Sequence, residues 1–378
     1  MMKIFLLLIL LLNYSFAKYQ TNESCKECHE KIYEEFQSSA HSKTYFNDEL
    51  HRQVADKVSD KKYDCALCHM PMASNLKDLI DGKARPDKNN KTHTDAISCY
   101  FCHTIAYVKK SHKHFDNVKA KQADGFKPTL YGSLENVDST DKHTGVKSPI
   151  YAKNACKGCH SFKKNDFNTT IFRAMDDKQD SLECIKCHMP KVLGGNEKIN
   201  KKARKDHLSH KFLGIRSESY RKSGIDISID LNNSKLNINL KNKMSHPLII
   251  QAARVKYLKI TQIRDGKVVW QNYKEHPSED KAAYFSYSFK KDGKKVIIPA
   301  TATSSKVNNI EAKSTKTLTY KLSTIKDKDK LEVTMYAKLA KDDCKKVLDL
   351  NDTSFTKEMT IIQKSYEYSQ AHQQFLEL

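Results

Sequence analysis

Cys25-Lys26-Glu27-Cys28-His29 is the first of five stretches in which two cysteines, separated by two residues, are followed at once by histidine. The other four begin at Cys65, Cys99, Cys156 and Cys184, so ten of the eleven cysteines belong to this pattern. A single copy could be a redox dithiol or half of a zinc site. Five copies, each ending in histidine, indicate attachment sites for c-type haem. The sequence therefore predicts five covalently attached haems c.

Each motif supplies three of the groups that hold a haem: two thiols for thioether bonds and an imidazole for the iron. The predicted attachment residues are Cys25, Cys28, Cys65, Cys68, Cys99, Cys102, Cys156, Cys159, Cys184 and Cys187. The predicted proximal iron ligands are His29, His69, His103, His160 and His188. Met70 and Met189 directly follow motif histidines on the proximal side, so we interpret both as packing residues. Cys344 lies far from every motif and is interpreted as a small, partly buried side chain.

A second axial ligand would make each iron six-coordinate, and the segment with the motifs has eight further histidines. We predict that the distal ligands are His41, His93, His112, His143 and His210. His114 competes closely with His112, and the weaker candidates are His51 and His207. Five distal imidazoles would leave every haem low-spin and suited to electron transfer.

The first residues predict export. Met1-Met2-Lys3 is a short basic region, residues 4–12 are apolar, and Ser15-Phe16-Ala17 precedes a predicted cut before Lys18. The apolar run is short for a membrane span, which needs about 20 residues; an uncleaved anchor is the alternative. No cysteine follows the cut, so no lipid anchor is expected. Residues 1–17 are therefore predicted to be a signal peptide and the protein to be periplasmic, where c-type haem is attached.

Composition divides the rest of the chain into two modules. The haem module, residues 18–220, contains every motif and has few long apolar runs. So short a segment cannot bury five macrocycles and also build an ordinary side-chain core. We expect the porphyrins to form the core and the chain without haem to be poorly folded. A mostly α-helical, loop-rich domain is predicted, with helices at 27–39 and 48–58.

The β module, residues 221–378, shows the period-two alternation of half-buried strands. The first two runs, separated by a turn at 232–234, are Ile225, Ile227, Ile229 and Leu231, then Leu236, Ile238 and Leu240. Further strands are predicted at 255–263, 268–270, 284–289, 296–298, 317–322 and 331–339. Several short strands with regular turns predict an antiparallel β-sandwich.

The chain is strongly basic, with 66 Lys and Arg against 45 Asp and Glu and a formal charge of +21. The haem module has 36 basic and 27 acidic side chains, an excess that ten haem propionates would offset. The β module has 29 basic and 18 acidic side chains and keeps its excess. It is the better candidate for meeting an acidic partner or membrane surface, although membrane association is not predicted. Nucleic acid is not an expected partner of an exported haem protein.

The segment His93-Thr94-Asp95-Ala96-Ile97-Ser98-Cys99, followed by Cys102-His103 and His112, resembles a hallmark of multihaem cytochromes of the c-552/c-554 type. Ser148-Pro149-Ile150-Tyr151 and the Met189-Pro190-Lys191 that follows the fifth motif are similar to later motifs of that group. The resemblance covers residues 22–216, and it implies haem c as the cofactor and ligand-like positions for His41 and His210. The group includes the tetrahaem cytochrome of nitrifiers and is related to octahaem hydroxylamine oxidoreductases, so it holds carriers and enzymes.

Three functions fit the sequence. The leading hypothesis is a periplasmic electron carrier that links redox partner proteins, such as a quinol-side donor and a terminal reductase. The alternative is an oxidoreductase that acts on a small nitrogen or sulfur species at one open haem. Pentahaem nitrite reductases have Cys-X-X-Cys-Lys at the catalytic haem, whereas all five motifs here end in histidine. The third hypothesis is a binding or scaffold protein in which the β module dominates.

Overall fold

The computed structural model describes residues 19–58, 62–122, 126–137, 139–175, 184–194 and 204–378. The predicted signal peptide lies outside these residues. The described residues form two compact units: the first comprises 19–55, 62–159 and 184–212, and the second comprises 56–58, 160–175 and 213–378. Because the units interleave along the chain, the predicted boundary at residue 220 stays a prediction. Within the described ranges, no helix is both long and apolar enough to cross a membrane.

Most helices are short. The longest are α1 (Asn22–Ser38) and α2 (Glu49–Val58), which cover the two predicted helices. The others have four to seven residues: α3 (Ala66–His69), α4 (Leu76–Asp81), α5 (Lys91–Thr94), α6 (Cys99–His103), α7 (Pro149–Asn154), α8 (Lys157–His160), α9 (Cys184–His188), α10 (Glu218–Lys222) and α11 (Asp342–Leu348). Thr21, Ser98 and Ser148 cap α1, α6 and α7 by accepting hydrogen bonds from backbone N–H groups three residues later.

Small sheets lie between the motif helices. In the first unit, β1 (Ile105–Lys110) pairs antiparallel with β2 (Phe115–Lys119), and β7 (Lys191–Leu193) pairs antiparallel with β8 (Asp206–Leu208). A third pair, β3 (Thr129–Gly132) and β4 (Thr144–Lys147), is parallel. In the second unit, β5 (Phe162–Lys164) and β6 (Thr170–Arg173) form another antiparallel pair.

The fold class predicted from the sequence is wrong. Strand accounts for 33% of the chain and helix for 26%, so the protein is not a mostly α-helical domain followed by a sandwich. The prediction treated the segments between motifs as helices and loops. Those segments contain β-branched and aromatic residues, such as Ile105, Tyr107 and Val108 in β1, which favour strands. The structure has a large curled antiparallel sheet besides the small ones.

Two sheets dominate the second unit. A three-stranded sheet has the order β16-β10-β9, and an eight-stranded sheet has the order β14-β13-β11-β17-β18-β19, with β12 beside β11 and β15 beside β13. The strands are β9 (Ile225–Asn232), β10 (Lys235–Asn242), β11 (Val255–Arg264), β12 (Lys267–Gln271), β13 (Tyr284–Lys291), β14 (Lys294–Val296), β15 (Ser304–Asn308), β16 (Thr315–Lys321), β17 (Lys330–Lys338), β18 (Met359–Ser369) and β19 (Gln374–Glu377). All their pairings are antiparallel.

Alternation along these strands builds one hydrophobic core. Leu236, Ile238 and Leu240 of β10 are fully buried and belong to the same cluster as Leu258 of β11 and Phe285 of β13. The cluster therefore takes side chains from both sheets. Alternate residues of β10 face away from this core, as the period-two pattern requires.

Candidate haem centres

Every motif is wound into helix. The first lies in α1, whose backbone kinks at His29 (φ −125°, ψ 44°), and the other four occupy α3, α6, α8 and α9. Residues three and four positions apart share one face of a helix. The two thiols and the imidazole of each motif are therefore brought to the same side, as two thioether bonds and an axial ligand require.

Two motif histidines each face a second imidazole. The ring centroids of His29 and His143 lie 6.3 Å apart with planes inclined by 27°, and those of His103 and His210 lie 6.2 Å apart with planes inclined by 24°. Iron bound on both sides by imidazole separates the centroids by about 6 Å, because each metal–nitrogen bond is about 2 Å and each nitrogen lies about 1 Å from its centroid. These residues therefore fit a haem with two axial histidines.

Hydrogen bonds fix which nitrogen of His103 and His210 can bind iron. His103 Nδ1 donates to the carbonyl of Tyr131 at 2.7 Å, and His210 Nδ1 donates to the carbonyl of Leu208 at 2.8 Å. In a neutral ring the proton on Nδ1 leaves the lone pair on Nε2. Metal-binding histidines commonly donate their other N–H to a carbonyl in this way.

Burial favours the neutral imidazole in the first pair, His29 and His143. Burial, with the neighbouring His143 and His103, lowers the pKa of His29 to about 4, and burial also lowers the pKa of His143. A neutral imidazole is the form that ligates iron. His143 Nδ1 is buried and has no hydrogen-bond partner in the described part of the chain. An orphaned ring nitrogen opposite a motif histidine fits a metal ligand.

At the second motif, the imidazole that faces His69 is His51, with ring centroids 4.5 Å apart and planes inclined by 42°. Asp48 Oδ2 lies 2.8 Å from His51 Nδ1. Burial would raise the pKa of Asp48, but the hydrogen bond and charge of His51 outweigh it, so this pKa is lowered. A carboxylate paired with one ring nitrogen is typical of a metal-binding histidine.

His93, predicted as a distal ligand, has both ring nitrogens engaged. Its Nδ1 accepts from the backbone N–H of Asp87 at 3.0 Å, and its Nε2 lies 2.7 Å from Asn75 Oδ1. The ring is buried. This geometry favours His51 over His93 at the second motif.

The remaining candidates differ in their surroundings. His41 packs edge-on against Phe212, with ring centroids 4.3 Å apart. His112 is exposed, whereas His114 is half-buried with Nε2 2.7 Å from Asp116. His114 Nδ1 is buried and lacks a hydrogen-bond partner among the described residues. The geometry therefore favours His114 over its competitor.

Contacts between thiols show which motifs are neighbours. A hydrogen bond from Cys99 lowers the pKa of Cys25, which places the first motif beside the third. Similar contacts join Cys68 to Cys159, and Cys156 to Cys184, where the bond lowers the pKa of Cys184 to about 7. The third and fourth motifs are also close, because the charge of Cys102 contributes to raising the pKa of Cys159. All five motifs therefore form one contiguous group.

The segment that carries the resemblance fastens two motifs together. Asp95 accepts hydrogen bonds from Tyr19 Oη at 2.8 Å and from the Asn22 backbone N–H at 3.1 Å. The Asn22 side chain donates to the Asp95 carbonyl and accepts from the Cys99 backbone N–H, both at 2.9 Å. The start of α1 is thereby held against the start of α6.

The fourth motif has a steric requirement at its second middle residue. A Cβ atom on Gly158 would lie 2.1 Å from Asn117 Oδ1, and Asn117 Nδ2 lies 3.6 Å from Cys159 Sγ. The polar side chain on β2 therefore occupies the space that a side chain at 158 would need. Both methionines interpreted as packing residues are buried, and Met70 belongs to a small apolar cluster with Tyr63 and Leu79.

Comparisons with known proteins agree with this geometry. Residues 24–104 match the family model described as cytochrome c554 and c-prime. The chain has the fold of a penta-heme cytochrome c552 from Thermochromatium tepidum, with a TM-score of 0.74 over 92% of this chain and 98% of that one. Residues 24–104 therefore resemble this family of multihaem cytochromes, and the whole chain shares the fold of a multihaem cytochrome c. Both findings support haem c as the cofactor, and the count of five haems stays a prediction.

Sequence identity to the penta-heme cytochrome is 22%, so the likeness concerns the fold. A superoxide reductase in the oxidized state aligns with 31% of the chain and 78% of its own, at 10% identity and a TM-score of 0.15, far below a shared fold. No curated protein matches the sequence.

The sequence ranks His51 among the weaker candidates, whereas the structure places its ring opposite that of His69. His51 precedes Cys65 by 14 residues, and the packing of α2 beside α3 brings the two rings together. One local signal existed: Asp48 precedes His51 by three residues, a spacing that lets a carboxylate reach an imidazole at a helix start. The same reasoning applies to His114, which has Asp116 two residues later.

Proposed function

We propose that this cytochrome is an exported pentahaem electron carrier that passes electrons, one at a time, between respiratory donors and acceptors. The observation that carries the proposal is the facing of motif histidines by second imidazoles: His29 by His143, and His103 by His210. Two strong-field imidazoles close an iron to substrate and suit it to electron transfer. His51 would take the same role at His69, where the two ring centroids, now 4.5 Å apart, would have to separate to about 6 Å to admit an iron.

The chain's residues define what each centre can do. Thioether cysteines would fix each haem covalently, and paired imidazoles would hold its iron from both sides. Haem c supplies a one-electron ferric–ferrous couple when bound, and burial and nearby charge set its potential. The two remaining distal ligands would come from His41 and from either His112 or His114.

Contiguity of the motifs supports transfer through the whole set. The thiol contacts link the first motif to the third, the third to the fourth, and the fourth to both the second and the fifth. Haems attached at these neighbouring motifs would lie near one another, which electron transfer through the whole set requires. A count of five haems follows from five motifs of the same type.

A basic hairpin in the second unit is the proposed docking surface for an acidic redox partner. In the β13–β14 hairpin, Lys290 lies opposite Lys295 and Lys291 lies opposite Lys294, and all four are exposed. Like charges directly opposite one another destabilise a strand pair. Only Lys295 has a carboxylate partner in the described part of the chain, Asp343 at 2.6 Å. The uncompensated charge favours an acidic surface, such as that of a quinol-side donor or a terminal reductase.

Export to the periplasm is part of the proposal, supported by the basic and apolar residues before Lys18. Mass spectrometry of the exported protein tests both the cut and the haem count. The expected mass is that of a chain beginning at Lys18 with five haems. A mass with fewer haems would refute the pentahaem proposal.

Electron paramagnetic resonance tests the carrier assignment, because it counts low-spin and high-spin ferric centres together. Five low-spin signals are expected. His51→Ala should convert one haem to high-spin and let it bind carbon monoxide, whereas His93→Ala should leave all five unchanged. If His93→Ala converts one haem to high-spin and His51→Ala converts none, His93 is the distal ligand at the second motif.

The alternative, an oxidoreductase for a small nitrogen or sulfur species, is favoured by one observation. The centroids of His51 and His69 are 4.5 Å apart, closer than the other two pairs. If His51 does not close that iron, the unmutated protein will show one high-spin haem that binds nitrite, hydroxylamine or sulfite. That spectrum would contradict the electron-carrier hypothesis and support the oxidoreductase hypothesis.

A further inference from the structure

A buried carboxylate lies behind the distal histidine of the third motif. Glu35, on α1, is 7% exposed, and its Oε2 accepts a hydrogen bond from the backbone N–H of His210 at 2.8 Å. The same oxygen lies 3.1 Å from Nε2 of His207, which is also buried. A buried carboxylate is costly unless it is paired and hydrogen-bonded. Among the residues that the structure describes, Glu35 meets this condition only through the segment that contains His207 and His210.

The two histidines of this segment have different tasks. His207 Nδ1 also makes a hydrogen bond with the carbonyl of Gly194, so both of its ring nitrogens face oxygen acceptors. Both ring nitrogens of His207 are therefore engaged by other groups, and the ring links the Gly194 carbonyl after β7 to Glu35. His210 keeps Nε2 for iron, because its Nδ1 donates to the Leu208 carbonyl.

We propose that Glu35 is a positioning residue that fixes His210 opposite His103 and holds the reduction potential of that one haem low. The proposal rests on the proposed ligand pair. The carboxylate bonds directly to the backbone of the residue that provides the ligand, so removing it frees that residue to move. Its negative charge, next to the ligand and shielded from water, also favours the ferric over the ferrous centre.

The position of Glu35 on α1 also connects the first motif to the third. The helix begins with the first motif, and Glu35 follows His29 by six residues, beyond the kink. The helix that binds one haem therefore supports the distal ligand of another. Attachment at the first motif would help to set the ligand geometry of the third.

The experiment compares Glu35→Gln with Glu34→Gln in the full-length holoprotein. Glu34 is the adjacent residue on α1 and is exposed, so its variant removes the same charge without touching His210. Spectroelectrochemical titration follows each haem. Glu35→Gln should raise the potential of one haem so that its reduced-to-oxidised ratio at fixed potential changes about tenfold, which is 59 mV for a one-electron couple. Glu34→Gln should leave every haem unchanged.

His210→Ala separates the two hypotheses. It should turn one haem high-spin, and the haem that Glu35→Gln shifts should be that haem. If His210→Ala leaves all haems low-spin, the ligand pair is wrong and the proposed ligation fails. If it converts one haem but Glu35→Gln shifts none, or shifts all of them alike, the role of Glu35 is refuted while the ligand pair stands.

Glu35→Asp covers the case in which the amide variant does not mature with its haems. It keeps the charge on a side chain one methylene shorter, which cannot reach both donors. The potential should stay near that of the native protein, while the g values of the same haem should change as His210 relaxes. Native g values would contradict the positioning role.

Discussion

The two units of this protein are stabilised in different ways. In the second unit, 24 buried apolar residues form one continuous cluster, from Ile225 on β9 to Phe375 on β19. In the first unit, the apolar cluster around Met70 has only seven buried members among the residues that the structure describes. The second unit can therefore fold on side-chain packing, whereas the first needs its haems to complete a core. Within one chain, the first unit is therefore expected to depend on its cofactor for stability and the second on side-chain packing.

Blocking haem attachment should produce the largest difference between the two units. Expressed without the attachment machinery, the first unit should fail to fold, while residues 213–378 keep their strands and their cooperative unfolding. Limited proteolysis followed by mass spectrometry would detect a resistant fragment of that size. The holoprotein is the control. Equal resistance of both units without haem would show that the first unit has a sufficient core of its own.

Truncating a core side chain of the second unit should destabilise that unit and leave the first unit unchanged. Phe285 is fully buried in the large sheet, and Phe285→Ala should lower the free energy of unfolding of that unit by about 3–5 kcal/mol. Denaturant titration monitored by far-ultraviolet circular dichroism measures this loss, and the haem absorbance should not change in native conditions. Val269→Ala, at an exposed position on β12, is the matched control and should cost less than about 0.5 kcal/mol.

A buried carboxylate that pairs with an arginine should make the stability of the second unit depend on pH. Asp329 is 1% exposed, bonds Arg264 through both carboxylate oxygens at 2.8 Å, and accepts from Gln262 at 2.8 Å. Burial would raise its pKa, but the hydrogen bonds of Arg264, Lys326 and Gln262 outweigh burial and lower it. Asp329→Asn should therefore cost about 3 kcal/mol at pH 7.

The pH dependence of that loss follows from the direction of the shift. A carboxylate whose folded pKa lies below its unfolded value of about 3.9 stabilises the fold above that pH and loses the effect as pH falls through the folded pKa. The difference in unfolding free energy between native protein and Asp329→Asn should be constant from pH 7 to 5 and narrow below pH 4. Asp292→Asn, at an exposed turn, should show no such profile. A constant difference down to pH 2 would contradict the assignment.

Neutralising the basic hairpin should have the smallest effect on the fold and a measurable effect on docking. Lys290→Gln with Lys291→Gln and Lys294→Gln removes three exposed charges. Association with an acidic redox partner should slow at low salt and depend less on ionic strength. Stopped-flow reduction across a salt series measures this. Lys235→Gln with Lys321→Gln removes charges from a facing pair on another sheet and should leave the salt slope unchanged.

The parts of the structure that sequence predicted are those governed by local pattern. The motif residues, the helices around 27–39 and 48–58, and the alternation of β9 and β10 all depend on neighbours a few residues away. Strands β18 and β19 were missed, because Met359–Ser369 has no clean alternation, and a bulge shifts its register beside Met335. The proposed ligand role of His51 does not follow from the motif pattern alone, since it depends on how α2 packs beside the second motif.

The close approach of Asn117 to Gly158 has a consequence for how the sequence can change over time. The attachment pattern itself places no demand on the two residues between its cysteines, and the other four motifs have side chains at both positions. At 158 the demand comes from a neighbouring strand, because a Cβ atom there would lie 2.1 Å from Asn117 Oδ1. A side chain at 158 therefore requires the Asn117 side chain to move away or to be replaced by a smaller one. Positions 117 and 158 should therefore covary among descendants of this chain.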